Sequence, residues 1–120
     1  MRDIERVYKA LADWNRLRIL KILEVKPMCG CGITYILKIV QSATSRHLKV
    51  LTDADLIISE RDGSYVLYSL NPNPSSRIAL SQLKFLRGCL NDDSKVIEDK
   101  KIAQKVDKCD FPAEIGGDFF

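Results

Sequence analysis

Residues 41–70 read QSATSRHLKV LTDADLIISE RDGSYVLYSL, and their order decides the fold. Two β-rich runs, Leu56-Ile57-Ile58-Ser59-Glu60-Arg61 and Tyr65-Val66-Leu67-Tyr68-Ser69-Leu70, flank Asp62-Gly63-Ser64. Branched and aromatic residues on both sides of an Asp-Gly step predict a β-hairpin. Ahead of it, Gln41-Ser42 opens a helix expected from Ala43 to about Ala54, with Leu48 and Leu51 on its buried face. Its first turn is short and polar, and Arg46, His47 and Lys49 follow. Short polar side chains reach base edges, and the longer ones suit guanine or phosphate. Gln41, Ser42, Thr44, Ser45, Arg46, His47 and Lys49 are therefore the expected groove contacts. Arg61 at the base of the hairpin, with Ser64 and Tyr65 near its tip, supplies a second contact on the adjacent backbone.

Working outward, the N-terminal side reads as helices. Asp3 is placed to cap a helix carrying Ile4, Val7, Tyr8 and Leu11 at helical spacing. Asn15 caps a second, with Leu17, Ile19, Leu20, Ile22 and Leu23 inward, and Pro27 stops it. A third, short helix is expected from about Gly32 to Lys38. After the hairpin, Asn71-Pro72-Asn73-Pro74 is a loop, and Ser75 or Ser76 starts a long amphipathic helix reaching Leu90. A break at Asn91-Asp92-Asp93-Ser94 precedes a polar helix from Lys95 to Lys108, and Asp110 to Phe120 is expected to be loosely ordered. Several short helices followed by a hairpin is the order of a winged helix-turn-helix, mainly α with a β-hairpin wing. The expected division is a DNA-binding and dimerisation domain over residues 1–92 and a helical extension and tail over 93–120.

Composition narrows the function. A chain of 120 residues allows one domain with or without a tail, and 46% hydrophobic with 29% charged residues excludes a largely disordered chain. The most apolar run, Ile33 to Val40, is interrupted by Lys38 and is too short to span a bilayer. No apolar signal core follows Met1, so a cytoplasmic protein is the default. Charge is lopsided: residues 1–49 hold ten basic and four acidic side chains, and residues 50–120 hold nine and twelve. A basic first half fits a polyanion. Arg16 and Arg18 read as solvated face charges, and Trp14 as packing at a helix junction. One histidine inside a DNA-reading segment, without clustered acids or a phosphate-cradling loop, leaves no catalytic constellation and no organic cofactor to expect.

These segments resemble the ArsR/SmtB family of transcriptional repressors. Tyr8-Lys9-Ala10-Leu11-Ala12-Asp13 with Arg16-Leu17-Arg18-Ile19-Leu20 looks like the family's opening. Ser45-Arg46-His47-Leu48-Lys49-Val50-Leu51 looks like its groove-helix motif, and Gly63 to Leu70 like its wing strand. The resemblance covers roughly residues 5–90. It implies a homodimer, paired through the first helix and the helix from Ser76 to Leu90, on a palindromic operator in double-stranded DNA. Two family positions differ: Lys38 stands where a turn glycine is usual, and Val40 where a capping serine is usual. The zinc- and nickel-sensing branches use Asp and His on the last dimer helix, and residues 75–90 contain neither.

Met28-Cys29-Gly30-Cys31-Gly32-Ile33 is similar to the cysteine pair of the family's arsenic- and antimony-responsive branch. Thiolates suit soft ions, so As(III) or Sb(III), and after them Cd(II) or Cu(I), are the expected effectors. Placed in one helix, residues two apart would sit about 200° around the axis and could not share an ion. Gly30 and Gly32 soften that turn, so chelation is expected to unwind it and disturb the groove helix next door. The branch's usual third cysteine is Thr34 here, which leaves Cys109 or Cys89 as the expected third sulfur. A second reading is a thiol redox or persulfide switch pairing Cys29 or Cys31 with Cys89, which lies roughly where sulfide-responsive members carry a partner cysteine.

Overall fold

The structure, a computed structural model, describes residues 1–106. Helix α1 (Asp3–Leu11) and helix α2 (Trp14–Leu23) come first, then a two-residue strand β1 (Met28–Cys29) and helix α3 (Gly30–Leu37). Helix α4 (Gln41–Asp53), strands β2 (Ile57–Asp62) and β3 (Tyr65–Leu70), and helices α5 (Arg77–Arg87) and α6 (Ser94–Lys105) follow. The expected Cys109 ligand and the tail from Asp110 lie outside the described residues.

Local chemistry explains where the helices start, and in two places corrects the expected caps. The carboxylate of Asp13, not Asn15, caps α2 by accepting the Arg16 backbone N–H at 3.1 Å. Asp3 lies inside α1, and the first-turn Glu5 carboxylate instead accepts the N–H of Arg2, the capping position, at 3.1 Å. Ser76 caps α5, and Asp93 caps α6 through two backbone N–H groups. Helix α3 starts at Gly30, two residues earlier than expected, because Cys29 serves as its cap.

The hairpin forms as expected. Asp62 pairs with Tyr65, so Gly63 and Ser64 alone make the turn, and Gly63 takes a left-handed φ of +64° that favours glycine. Strand β1, which no pattern in the sequence predicts, pairs antiparallel with β3, Met28 opposite Tyr68 and Cys29 opposite Leu67. The sheet order is β1-β3-β2. A two-residue strand carries no periodic signal and exists only because β3 offers a free edge.

Helix α2 is the centre of the core. Every residue from Arg18 to Leu23 is buried, with α1, α3, α4, β3 and α6 packed around it. This overturns the reading of Arg18 as a solvated charge. Its guanidinium makes two hydrogen bonds to the Asp99 carboxylate of α6, at 2.8 and 3.0 Å, and both side chains are almost wholly buried. Lys21 is also buried, its ammonium shared between Glu24 and the Leu86 carbonyl at 2.9 Å each. Lys100 of α6 binds the other Glu24 oxygen at 2.9 Å, and Lys26 donates to the Val106 carbonyl. Two of the ten basic side chains counted in the first half are thus spent inside the protein. Helix α6 is more than a polar extension: Ala103 and the following Val106 belong to the same apolar cluster as Val7, Ile19 and Leu51.

Candidate nucleic-acid interface and cysteine site

Helices α3 and α4 are joined by Lys38-Ile39-Val40, and together form the helix-turn-helix. Lys38 ends α3 in the left-handed region, φ 58° and ψ 44°, the conformation for which a glycine is usual there. The first turn of α4 is capped only by backbone, the N–H groups of Ala43 and Thr44 both donating to the Val40 carbonyl. Along α4 the expected contacts divide by exposure. Gln41, Ser42, Ser45, Arg46 and Lys49 are exposed, as are Arg61, Ser64 and Tyr65 on the wing.

Two expected contacts lie elsewhere. Thr44 is buried with Leu48 and Leu51, and its Oγ1 accepts a hydrogen bond from Thr34 Oγ1 at 2.9 Å. The spacing of residues 44, 48 and 51 places all three on one helical face, so Thr44 shares the inward register of the two leucines. Thr44 therefore ties α4 to α3 and does not face solvent.

His47 is half-buried, and its Nδ1 lies 3.1 Å from Arg16 Nη1. Arg16 also donates to the carbonyls of Ala10 (2.8 Å) and Lys9 (3.1 Å), which close the end of α1. Guanidinium has no acceptor, so Nδ1 accepts and the ring proton sits on Nε2. Burial lowers the His47 pKa below its ordinary 6.5; Asp13 opposes this, and Arg16 and Arg46 reinforce it. Arg16 is thus neither a free surface charge nor a phosphate contact, but a bracket between the α1–α2 corner and α4.

The cysteine pair sits at the start of α3. Cys29 is outside the helix, extended at φ −80° and ψ 163°, and its Sγ accepts the Gly32 N–H at 3.4 Å. The expected 200° separation assumed both residues to be helical and does not apply. Cys29 is buried and disulfide-bonded, while Cys31 is half-buried and free. Both line one open cleft of about 240 Å³ with Gln41, Thr44, Ser45 and Leu48 of α4 and with Ser64, Tyr65, Val66 and Tyr68 of the wing. The two cysteines thus share one cavity with α4 and the hairpin.

Cys89, free and half-buried, follows α5 and donates to the Phe85 carbonyl at 3.3 Å. Among the described residues of the single chain no group of three Cys, His, Asp or Glu side chains is arranged to hold an ion. Nor is Cys89 the disulfide partner of Cys29.

A family profile described as "Bacterial regulatory protein, arsR family" matches residues 13–59, from the cap of α2 into β2. The arsenical resistance operon repressor of Bacillus subtilis (strain 168) is 42% identical over 72 residues, 59% of this chain and 69% of that protein. The arsenic resistance transcriptional regulator ArsR1 of Pseudomonas putida is 39% identical over 67 residues, 55% of this chain and 52% of that protein. Among solved structures, HlyU from Vibrio cholerae N16961 aligns with a TM-score of 0.59 at 26% identity, covering 71% of this chain and 88% of that one. A second structure, titled reduced HlyU, aligns with a TM-score of 0.58. Together with the winged helix-turn-helix, these matches place the chain in the arsR family of bacterial regulatory proteins, to which it belongs as a DNA-binding transcriptional repressor and not as an enzyme.

Proposed function

We propose that the protein is a cytoplasmic, metalloid-responsive repressor that holds its operator as a homodimer and releases it when As(III) or Sb(III) is captured by Cys29 and Cys31. The observation that carries this reading is the shared cleft, in which both cysteines face the groove helix and the wing. Gln41, Ser42, Ser45, Arg46 and Lys49 meet the groove, and Arg61, Ser64 and Tyr65 meet the adjacent backbone. Capture requires Cys29 in its reduced form. It then withdraws the sulfur that caps α3, freeing the Gly32 N–H at the foot of the helix leading into α4. A coupling of about 1–3 kcal/mol is enough for a useful switch. Cys109 is the proposed third sulfur, since no described side chain fills that role. Cd(II) and Cu(I) are the next candidates, on the same thiolate preference. The names of the relatives from Bacillus and Pseudomonas point to arsenicals as the effector class.

The dimer is proposed through α1 and α5. These helices pack on each other, and they leave Ile4, Tyr8, Leu80 and Phe85 exposed, Phe85 by 69%. A second copy covering them removes an apolar surface from water.

The disulfide at Cys29 favours a second reading, a thiol redox or persulfide switch, and a relative solved in a reduced form is consistent with it. One experiment separates the two. Operator binding of protein reduced beforehand and then freed of reductant under anaerobic conditions is titrated with As(III), Sb(III), Cd(II), Cu(I) and polysulfide, on the native protein and on Cys29→Ser, Cys31→Ser, Cys89→Ser and Cys109→Ser. Release by As(III) that vanishes in Cys29→Ser and Cys31→Ser supports metalloid sensing. Release by polysulfide alone sinks it and establishes the redox switch.

A further inference from the structure

The groove helix carries a side chain that DNA binding does not account for. His47 sits between Arg46 and Lys49, two exposed cations, yet it is half-buried and turned toward the α1–α2 corner. There the Arg16 guanidinium holds three acceptors at once: the Ala10 and Lys9 carbonyls and His47 Nδ1. Asp13, the cap of α2, has its second carboxylate oxygen 3.9 Å from the same guanidinium. Four segments therefore meet at one residue: the end of α1, the start of α2, its cap, and the middle of α4.

We infer that His47 is a positioning residue, whose neutral ring sets the angle of the groove helix by accepting a hydrogen bond from Arg16, and that protonating it weakens operator binding. This goes beyond metalloid sensing and rests only on the DNA-binding reading of α4. The charged groups facing His47 are Asp13 and Arg16 from the α1–α2 corner and Arg46 from its own helix. A protonated Nδ1 has no lone pair to offer, so the Arg16 bond is lost and two cations are brought face to face. The new imidazolium is drawn toward Asp13, in competition with Arg16, so the directed hydrogen bond that sets the angle of α4 is replaced by a differently placed charge contact. The lowered pKa of His47 agrees with this geometry.

The sign of the pH dependence separates this role from a phosphate contact. A histidine that touches phosphate binds better when charged, so acidification would tighten the complex. A positioning His47 predicts the reverse, with affinity falling by up to about tenfold per pH unit per protomer below its pKa. The test uses the full chain, reduced and free of metalloid, with a duplex it selects from a random pool at pH 7.5. Affinity is then measured from pH 7.5 to 5.5 at constant ionic strength. His47 is the sole histidine of the chain, so its imidazole resonances can be followed by NMR without assignment ambiguity. The expected result is an Nε2–H tautomer at pH 7.5 and weakening that tracks the His47 titration. His47→Asn, with an amide oxygen near the place of Nδ1, should bind better than His47→Gln, and both should lose the pH dependence. An Nδ1–H tautomer, or an affinity that rises or stays level on acidification, would overturn the inference. Failure to select any duplex would count against the DNA-binding reading itself, while the tautomer still tests the hydrogen bond.

Discussion

Thr34 and Thr44 join α3, which begins at the cysteine pair, to α4, the proposed groove helix, through one hydroxyl–hydroxyl hydrogen bond of 2.9 Å in which both side chains are buried. A buried hydroxyl deprived of its partner costs about 1–3 kcal/mol, whereas replacing both partners by apolar groups of the same shape is far milder. Thr34→Val and Thr44→Val should each destabilise by that amount, and the double variant by less than the sum of the two. Urea unfolding in a double-mutant cycle measures the difference. With the helices uncoupled, the double variant should also show a smaller ratio of operator affinities without and with As(III).

The buried ion pair gives a harsher prediction. Asp99→Ala leaves the Arg18 guanidinium uncompensated inside the core, at a cost of about 3–5 kcal/mol. Replacing both members, as Arg18→Met with Asp99→Leu, should recover most of the loss. Thermal unfolding of the three variants decides it, and a mild Asp99→Ala would mean that α6 is only loosely attached.

Lys38 occupies left-handed backbone at a turn. Lys38→Gly should stabilise the fold by about 1 kcal/mol, because glycine adopts that conformation without the steric penalty. Chemical denaturation reads the change, and operator affinity shows whether the turn also sets the presentation of α4.

Gly30 opens α3, where an added Cβ would meet only Leu48 Cδ1 at 3.8 Å, an ordinary contact. Gly30→Ala should therefore fit, and should stabilise the start of the helix by up to about 1 kcal/mol. A stiffer start ought to raise the As(III) concentration needed for half-release. An unchanged half-release point, alongside measured stabilisation, would separate helix softness from sensing.

Stability should also depend on pH through His47. Its folded pKa lies below 6.5, so the unfolded chain binds more protons once the pH drops under about 6.5. The contribution of neutral His47 is complete above that value, is lost as the pH falls toward the folded pKa, and then levels off. Denaturant midpoints between pH 8 and 5 should show this component in the native protein, and its absence in His47→Asn.

Much of this molecule is legible in the order of its residues. Periodic leucines and isoleucines place α1, α2, α4 and α5, and the Asp62-Gly63 step places the wing, because those signals are local. What escaped depends on partners distant in the chain. Arg18 reads as a surface charge until Asp99, contributed by α6, is known to lie beside it. His47 reads as a groove contact until Arg16 is seen to reach it. Strand β1 is too short for any pattern, and the capping role of Cys29 follows from that strand. Thr44 is the exception, since its register with Leu48 and Leu51 already marked it as inward-facing.

Cys29 belongs to two structures at once: it faces Leu67 across the sheet, and its sulfur closes the first turn of α3. A guest that drags this residue outward pulls on the sheet and on α3 together, so the wing and the helix that leads into α4 are expected to shift as one. Grip on the duplex should therefore fail as a single event, with no intermediate in which the protein hangs on by its hairpin alone.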